Sequence, residues 1–480
     1  MNKTNTLEEL EAIVGKGNVF YHKEDLIVYE QDASVERALP DLVVFPSTTQ
    51  QVSEIVKLAS RKEIPIVPRG AGTGISGGAV PVEGGIMVSF TKMNRILQID
   101  LEDRIAVVEP GLVNLSLTEA VSPQGFFYAP DPSSQMICTL GGNVAENSGG
   151  IHCLAYGVTT NHILGLQVVL PDGEVVGLGG KALDMPGYDL VGIMVGSEGT
   201  LGIVTKIIVK LMRRPEDINT LLAIFNSIED ASNTVSDIIA AGIIPAALEM
   251  MDKLATQAVE EAIHAGYPPD AGAVLLIEVE GLREAVTRST EVIKEICLRN
   301  RALEIRTASD EKERKLLWMG RKSVFGAVGR IAPNQYTQDG VVPRPKLSQV
   351  IKKVVEIGEK KSLIIANVAH AGDGNLHPLI LFDPRKPGML EKVIEAGGEI
   401  LKACVDAGGS ITGEHGVGIE KNRYMPWIFN EEDLGAMEKV KKTFDPKGIL
   451  NPSKLFPTPR ACREIRVPAL GAGGEKGLWI

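Results

Sequence analysis

Glycine is the residue that most limits what this chain can build. There are 51 glycines among 480 residues, well above the usual ~7%, and they cluster. One cluster, residues 68–78, follows a short apolar stretch at 64–67 and contains Gly72-x-Gly74-x-x-Gly77. In a dinucleotide-binding βαβ turn, this pattern opens a helix whose N-terminus holds the pyrophosphate. Here Pro81, Gly84 and Gly85 follow within a few residues and leave no room for that helix. The loop still exposes a row of unencumbered backbone N–H groups, a nest suited to a pyrophosphate without a helix dipole. A plain flexible turn is the alternative reading.

A second glycine- and asparagine-rich segment covers 139–150, and further clusters lie at 196–202, 371–374 and 413–418. Between the clusters, the first half alternates short strands (41–45, 64–67, 86–90, 96–100, 105–109, 164–170, 203–211) with helical spacing at 5–14, 48–62 and 115–122. Ser47 or Thr48 is the expected N-cap of the second helix. A boundary is expected near Arg213, Arg214 and Pro215. Beyond it, 228–241, 247–265 and 284–299 read as amphipathic helices and 273–279 as a strand. Strands at 362–368 and 379–382 flank a Gly-Asp-Gly-Asn turn, which predicts a hairpin. A helix follows at 390–407, and the last residues are glycine-rich.

The chain is long enough for two or three domains at roughly 150 residues each. Acidic residues number 61 against 50 basic ones, a net charge of −11. Such a surface repels phosphate backbones and argues against a nucleic-acid partner. No apolar run is long enough for a transmembrane segment, and the first residues lack the apolar core of a secretory leader. The five cysteines, Cys138, Cys153, Cys297, Cys404 and Cys462, form no C-x-x-C pair. A reducing, cytoplasmic setting is therefore expected. The same spacing excludes an iron–sulfur cluster or c-type haem in this chain.

Histidine is scarce, with seven in all. Two of them, His370 and His377, flank the predicted hairpin turn. A third, His415, follows Glu414 in a glycine-rich loop. Two imidazoles and a carboxylate suit a divalent cation with open positions, and Glu414 is the candidate third ligand. The alternative is a pair of satisfied core histidines and a surface glutamate. His152 and His162 are read as structural polar groups.

Taken together, residues 68–78, 129–134, 139–150, 156–161 and 196–202 resemble the FAD-binding (PCMH-type) domain of the vanillyl-alcohol oxidase type of flavoproteins. Over about residues 40–457 the chain is similar to the branch of glycolate oxidase flavin subunits and D-lactate dehydrogenases. The resemblance implies an α+β fold: a two-part FAD-binding domain (1–213), a cap domain with an antiparallel sheet flanked by helices (214–425), a C-terminal segment returning to the FAD domain (426–457) and a loose tail (458–480). It implies that Arg69, Gly70, Ala71, Gly72, Thr73, Gly74, Ser76 and Gly77 cradle the FAD pyrophosphate. Pro130, Asp131, Thr139, Gly141, Gly142, Ala145, Glu146 and Ser148 would line the isoalloxazine and ribityl, with Glu198, Gly199 and Ile203 at the other end. Some relatives attach flavin through a histidine where this chain has Thr73, so the FAD is expected to be non-covalent.

The resemblance further implies His370, His377 and Glu414 as ligands of a divalent metal (Zn, Fe, Mn or Co) and His415 as the catalytic base. Arg321 is the choice for binding a substrate carboxylate, ahead of Lys322 and Arg344. The implied reaction oxidises a small 2-hydroxy acid, D-lactate or glycolate, to the 2-oxo acid. Relatives that act on dicarboxylates carry extra polar groups where this chain has Thr337 and Leu379, which disfavours a 2-hydroxyglutarate-type enzyme. With no second redox centre of its own, the chain needs an external acceptor: an iron–sulfur subunit, an electron-transfer flavoprotein or, least favoured, a quinone. The alternative of a different class is a flavin-bearing electron-transfer subunit without substrate chemistry.

Overall fold

The computed structural model describes residues 3–182 and 186–457; Cys462 and the expected tail at 458–480 lie outside the described residues. The N-terminal part carries two sheets. The smaller runs Val19–Phe20, Leu42–Val44, Ile86–Ser89, Ile66–Arg69 in spatial order, and the last three of these pair in parallel. Helix Thr49–Lys62 makes the crossover that parallel pairing requires. It starts where the Thr48 hydroxyl accepts from the Gln51 amide at 3.2 Å. It buries Val52, Ile55, Val56 and Ala59 against the sheet. The second sheet is antiparallel, in the order Ile96–Asp100, Ile105–Val108, Ile203–Lys210, Ile163–Val169, Val175–Gly179.

The C-terminal part is built on an antiparallel sheet of eight strands. Its central members are Asp217–Phe225, Ala273–Gly281, Ala247–Asp252, Ile364–His370 and Asn375–Phe382. Both faces are covered by apolar clusters. This corrects the reading of 247–265 as one helix: its first part is the strand Ala247–Asp252, and the helix begins only at Lys253. All six strand residues are buried. Leu248 and Met250 enter one core while Ala247 and Met251 enter the other, so the polar-out alternation that marks a half-exposed strand is missing. Asp252 then caps the helix, accepting from the Ala255 amide at 2.8 Å.

The segment 139–150 is also more ordered than its composition suggests. Thr139 caps a short helix, Leu140–Glu146. By contrast, the 70–78 loop opens no helix, as the prolines and glycines after it require.

The chain ends by returning to the first part. Helix Glu431–Phe444 places the Lys441 ammonium 2.6 Å from the Thr200 carbonyl. Next, the Ile66 amide donates to the Ile449 carbonyl and the Asn451 amide to the Ile66 carbonyl, both at 2.8 Å. The buried Asn451 amide group donates to the carbonyls of Gly78 and Glu198 at 2.9 and 2.7 Å, joining both glycine-rich loops. Asn451→Ala leaves two buried carbonyls unpaired. It should lower unfolding stability by about 1–3 kcal/mol, checked by denaturant melts; an unchanged midpoint would show that the tie carries no stability.

Candidate active site

The hairpin register sets the histidine pair. Ile364–His370 and Asn375–Phe382 pair antiparallel, with Val368 opposite His377 and His370 opposite Asn375. His370 lies two residues beyond Val368, so the two imidazoles share one face as diagonal neighbours. The turn between them needs a left-handed residue, supplied by Gly374 at φ 75°. The ring centroids stand 5.0 Å apart.

Glu414 and His415 come from a loop that Asp339 folds. One carboxylate oxygen of Asp339 accepts from the Thr412 hydroxyl (2.5 Å) and from the amides of Gly413, Glu414 and His415 (2.9, 3.1 and 2.9 Å). Glu198 grips the next residues, accepting from the amides of Val417 and Gly418 at 2.7 and 2.8 Å. The result brings the three histidines and Glu414 together. Nε2 of His370 and of His377 each lie 3.1 Å from Glu414 Oε1, and Nε2 of His415 lies 3.6 Å from it. His415 stacks on His377 at 4.8 Å between centroids.

Behind each ring stands a buried carboxylate. Nδ1 of His370 is 2.7 Å from Glu249 Oε1, and Nδ1 of His377 and of His415 are each 3.8 Å from an Asp339 oxygen. Burial pushes the His415 imidazole down to about 4, which favours its neutral form. Burial opposes charge on Asp339, yet His415, Lys421 and His377 around it hold its carboxyl far below the usual range. His370, His377 and Glu414 place one nitrogen or oxygen apiece within 4.8 Å of one another, a donor set that suits a divalent cation.

A single continuous cavity joins this cluster to the glycine loops. Its wall includes Arg69–Ile75, Thr139, Gly141, Gly142, Ala145, Glu146, Ser148, Glu198, Gly199 and Ile203, and it ends at Arg321, His370, His377, Glu414 and His415. Four expected cofactor contacts lie off that wall. Ser76 instead accepts from the amides of Ile419 and Glu420 through its carbonyl, and Gly77 makes room for the Ile419 side chain. The Pro130 carbonyl accepts from the Asn114 side chain at 2.9 Å. The Asp131 carboxylate pairs with His152 at 2.9 Å. Glu198 lies on the wall and its oxygens also hold the amides of Val417 and Gly418, while a Cβ on Gly416 would touch both Glu146 and Glu198. The two carboxylates thus lie close together on the cavity wall.

The lining fits an FAD. Gly74 opens onto empty space, since a Cβ there would meet nothing within 4 Å. Among the described residues, Arg69 Nη1, Glu146 Oε2 and both Nε and Nη2 of Arg321 are buried without a hydrogen-bond partner, a set of orphans that a polar ligand would satisfy. Arg321 Nη2 makes an ion pair with Glu249 Oε2 at 2.6 Å, outside hydrogen-bond geometry. Lys322 lies on the cavity wall with its ammonium 3.7 Å from Asp131. Arg344 is turned to the Gly372 carbonyl.

Comparison with known proteins matches these two parts. Residues 40–179 match the FAD binding domain and residues 214–455 match the C-terminal domain of FAD linked oxidases. The chain belongs to the FAD-linked oxidase family. It is 47% identical to the glycolate oxidase subunit GlcD of Escherichia coli (strain K12), over 97% of this chain and 93% of that protein. It is 44% identical to the Bacillus subtilis (strain 168) protein of the same name, over 94% and 96%. A D-lactate dehydrogenase of Anaerostipes hadrus is 32% identical over 89% and 92%. The structure of p-cresol methylhydroxylase with substrate bound superposes with a TM-score of 0.80 at 19% identity, over 95% of this chain and 97% of that one. That likeness establishes the shared vanillyl-alcohol oxidase fold. This FAD-linked oxidase is accordingly a flavoprotein oxidoreductase of mixed α/β architecture. Among the described residues, no helix is long and apolar enough to cross a membrane.

Sequence reasoning missed Glu249 and Asp339. Glu249 was hidden in the strand misread as a helix. Asp339 follows Tyr336, Thr337 and Gln338, in a stretch whose only visible signal was a lone acidic residue before Gly340. His152, read as a structural polar group, links Asp131 to Glu278 across the two parts of the molecule, at 2.9 and 3.4 Å. Burial works against charge on this imidazole, but the two carboxylates hold its pKa up to about 10 from an ordinary 6.5. A raised value stabilises the fold fully below pH 6.5, and this contribution is lost as pH climbs towards 10. His152→Gln should therefore cost most stability at or below pH 6.5 and progressively less above it, read from melts across that range. A pH-independent cost would contradict the charged pairing.

Proposed function

We propose that this chain oxidises a small 2-hydroxy acid, glycolate or D-lactate, to the corresponding 2-oxo acid and passes the electrons to a partner protein. The observation that carries the reading is the convergence of His370, His377, His415 and Glu414 at the end of the cavity that the glycine loops line. The names of the relatives support the substrate class, and the word subunit in two of them supports a partner. An iron–sulfur subunit or an electron-transfer flavoprotein would serve as acceptor.

His370, His377 and Glu414 would hold the divalent cation, and the cavity wall from Arg69 to Ile203 would hold the FAD without a covalent bond. When bound, the flavin supplies the hydride acceptor and the cation acidifies an alcohol coordinated to it. The chain's own residues do the rest. Arg321, whose guanidinium has no hydrogen-bond partner at Nε or Nη2, would bind the substrate carboxylate. That contact fixes the α-carbon relative to the imidazoles. His415, neutral because it is buried, accepts the hydroxyl proton at Nε2. Leu379 packs in an apolar cluster and neither it nor Thr337 lies on the cavity wall, so the preference for a monocarboxylate over 2-hydroxyglutarate rests on the names of the relatives.

Mixing the purified flavoprotein with glycolate or D-lactate without oxygen should bleach the visible flavin band. No bleaching with any 2-hydroxy acid would leave only an electron-carrier role. His415→Ala should keep flavin and metal yet slow bleaching by about 10²–10⁴-fold; an unchanged rate removes His415 as the base. His377→Ala should strip the bound metal, read by elemental analysis, and retention of the full metal content would remove it as a ligand.

A further inference from the structure

Glu249 stands between two groups to which the reading above gives separate tasks. Its side chain is 1% exposed and that of Arg321 is 2% exposed. One carboxylate oxygen faces His370 Nδ1 at 2.7 Å and the other faces Arg321 Nη2 at 2.6 Å. The backbone makes this bridge rigid. Glu249 lies directly opposite His370 in the pairing of Ala247–Asp252 with Ile364–His370, and opposite Leu276 on the other flank. It therefore sits in mid-sheet with both edges paired. Arg321 arrives on the last turn of helix Glu311–Lys322, which packs Leu317 and Trp318 on the same apolar cluster as Ala247 and Met251. Gly320 lets the helix close on Tyr267 and Ala265, since a Cβ there would come within 2.6 and 2.9 Å of them.

We infer that Glu249 is a positioning residue that couples the metal centre to the anchor for the substrate carboxylate; the inference rests on the function proposed above. By accepting a hydrogen bond from Nδ1–H, Glu249 fixes the His370 tautomer and leaves the Nε2 lone pair facing Glu414. Through its ion pair with Nη2, it holds the guanidinium in place for the carboxylate. A carboxylate serving only to neutralise Arg321 would not need to spend its second oxygen on an imidazole. One side chain thus sets the distance between the cation and the carboxylate anchor, and hence the length of the acid that fits between them.

The test uses the FAD-loaded protein and two measurements without turnover. Mn²⁺ affinity is read by competition with a chelator, and oxalate affinity at saturating Mn²⁺ is read from the perturbed flavin spectrum. Glu249→Gln should weaken Mn²⁺ binding by about 10–100-fold and oxalate binding by about tenfold or more. Should Glu249→Gln fail to fold because Arg321 is left unpaired, Glu249→Gln combined with Arg321→Met removes that burden and should still weaken Mn²⁺ by the same factor. Wild-type Mn²⁺ and oxalate affinities in the folded variant overturn the inference alone. A loss of oxalate binding with Mn²⁺ affinity unchanged also overturns it, since Glu249 would then serve Arg321 only. A wild-type protein that binds no divalent metal overturns the metal reading and this inference together.

Discussion

Everything chemical in this molecule depends on bringing buried imidazoles and carboxylates together without leaving any of them an isolated charge. An unpaired ion in such surroundings costs several kcal/mol. The structure meets that cost by alternation. Glu414 faces His370 and His377 on one side, while Glu249 and Asp339 stand behind the rings on the other. Arg321 and Lys421 supply the outer cations. The pattern leaves each Nε2 turned inward and each Nδ1 turned outward. That is the arrangement in which neutral imidazoles bind a cation or accept a proton.

The scaffold explains why this arrangement can be held. Three of its members, Glu249, His370 and His377, lie on adjacent strands of the large sheet, where register fixes them. Glu414 and His415 lie on a loop, but its amides are captured by Asp339 and Glu198. Glu198 belongs to the N-terminal part, and Asn451 ties its carbonyl to the C-terminal segment. The loop carrying the proposed base is therefore fastened from both halves of the molecule, and its position relative to the flavin cavity follows from that double attachment.

Much of this was legible in the sequence, for reasons that differ by residue. The glycine loop announced a nest without a helix because Pro81 and the glycines after it forbid one, and the structure has none. The hairpin at His370 and His377 was readable because Gly-Asp-Gly-Asn is turn chemistry between two apolar runs. Glu249 was not readable. A strand buried on both faces loses its alternation, and with Met250, Met251 and Leu254 near it the segment took on helical spacing. Asp339 works through backbone amides some seventy residues away in sequence, and no local pattern announces such a partner. Ser76, Gly77, Pro130 and Asp131 sit in the motifs but not on the cavity wall. A motif specifies a loop, while each side chain's direction depends on what packs behind it.

The most direct test of the account is the place of the metal itself. Crystals of the FAD-loaded protein grown with Mn²⁺ or Zn²⁺, measured at the absorption edge of that metal, locate the ion by anomalous scattering. The account requires one strong peak at bonding distance, roughly 2.0–2.2 Å, from His370, His377 and Glu414, with the flavin ring filling the adjoining cavity. A fully flavin-loaded protein with the peak elsewhere, or with none, would contradict it.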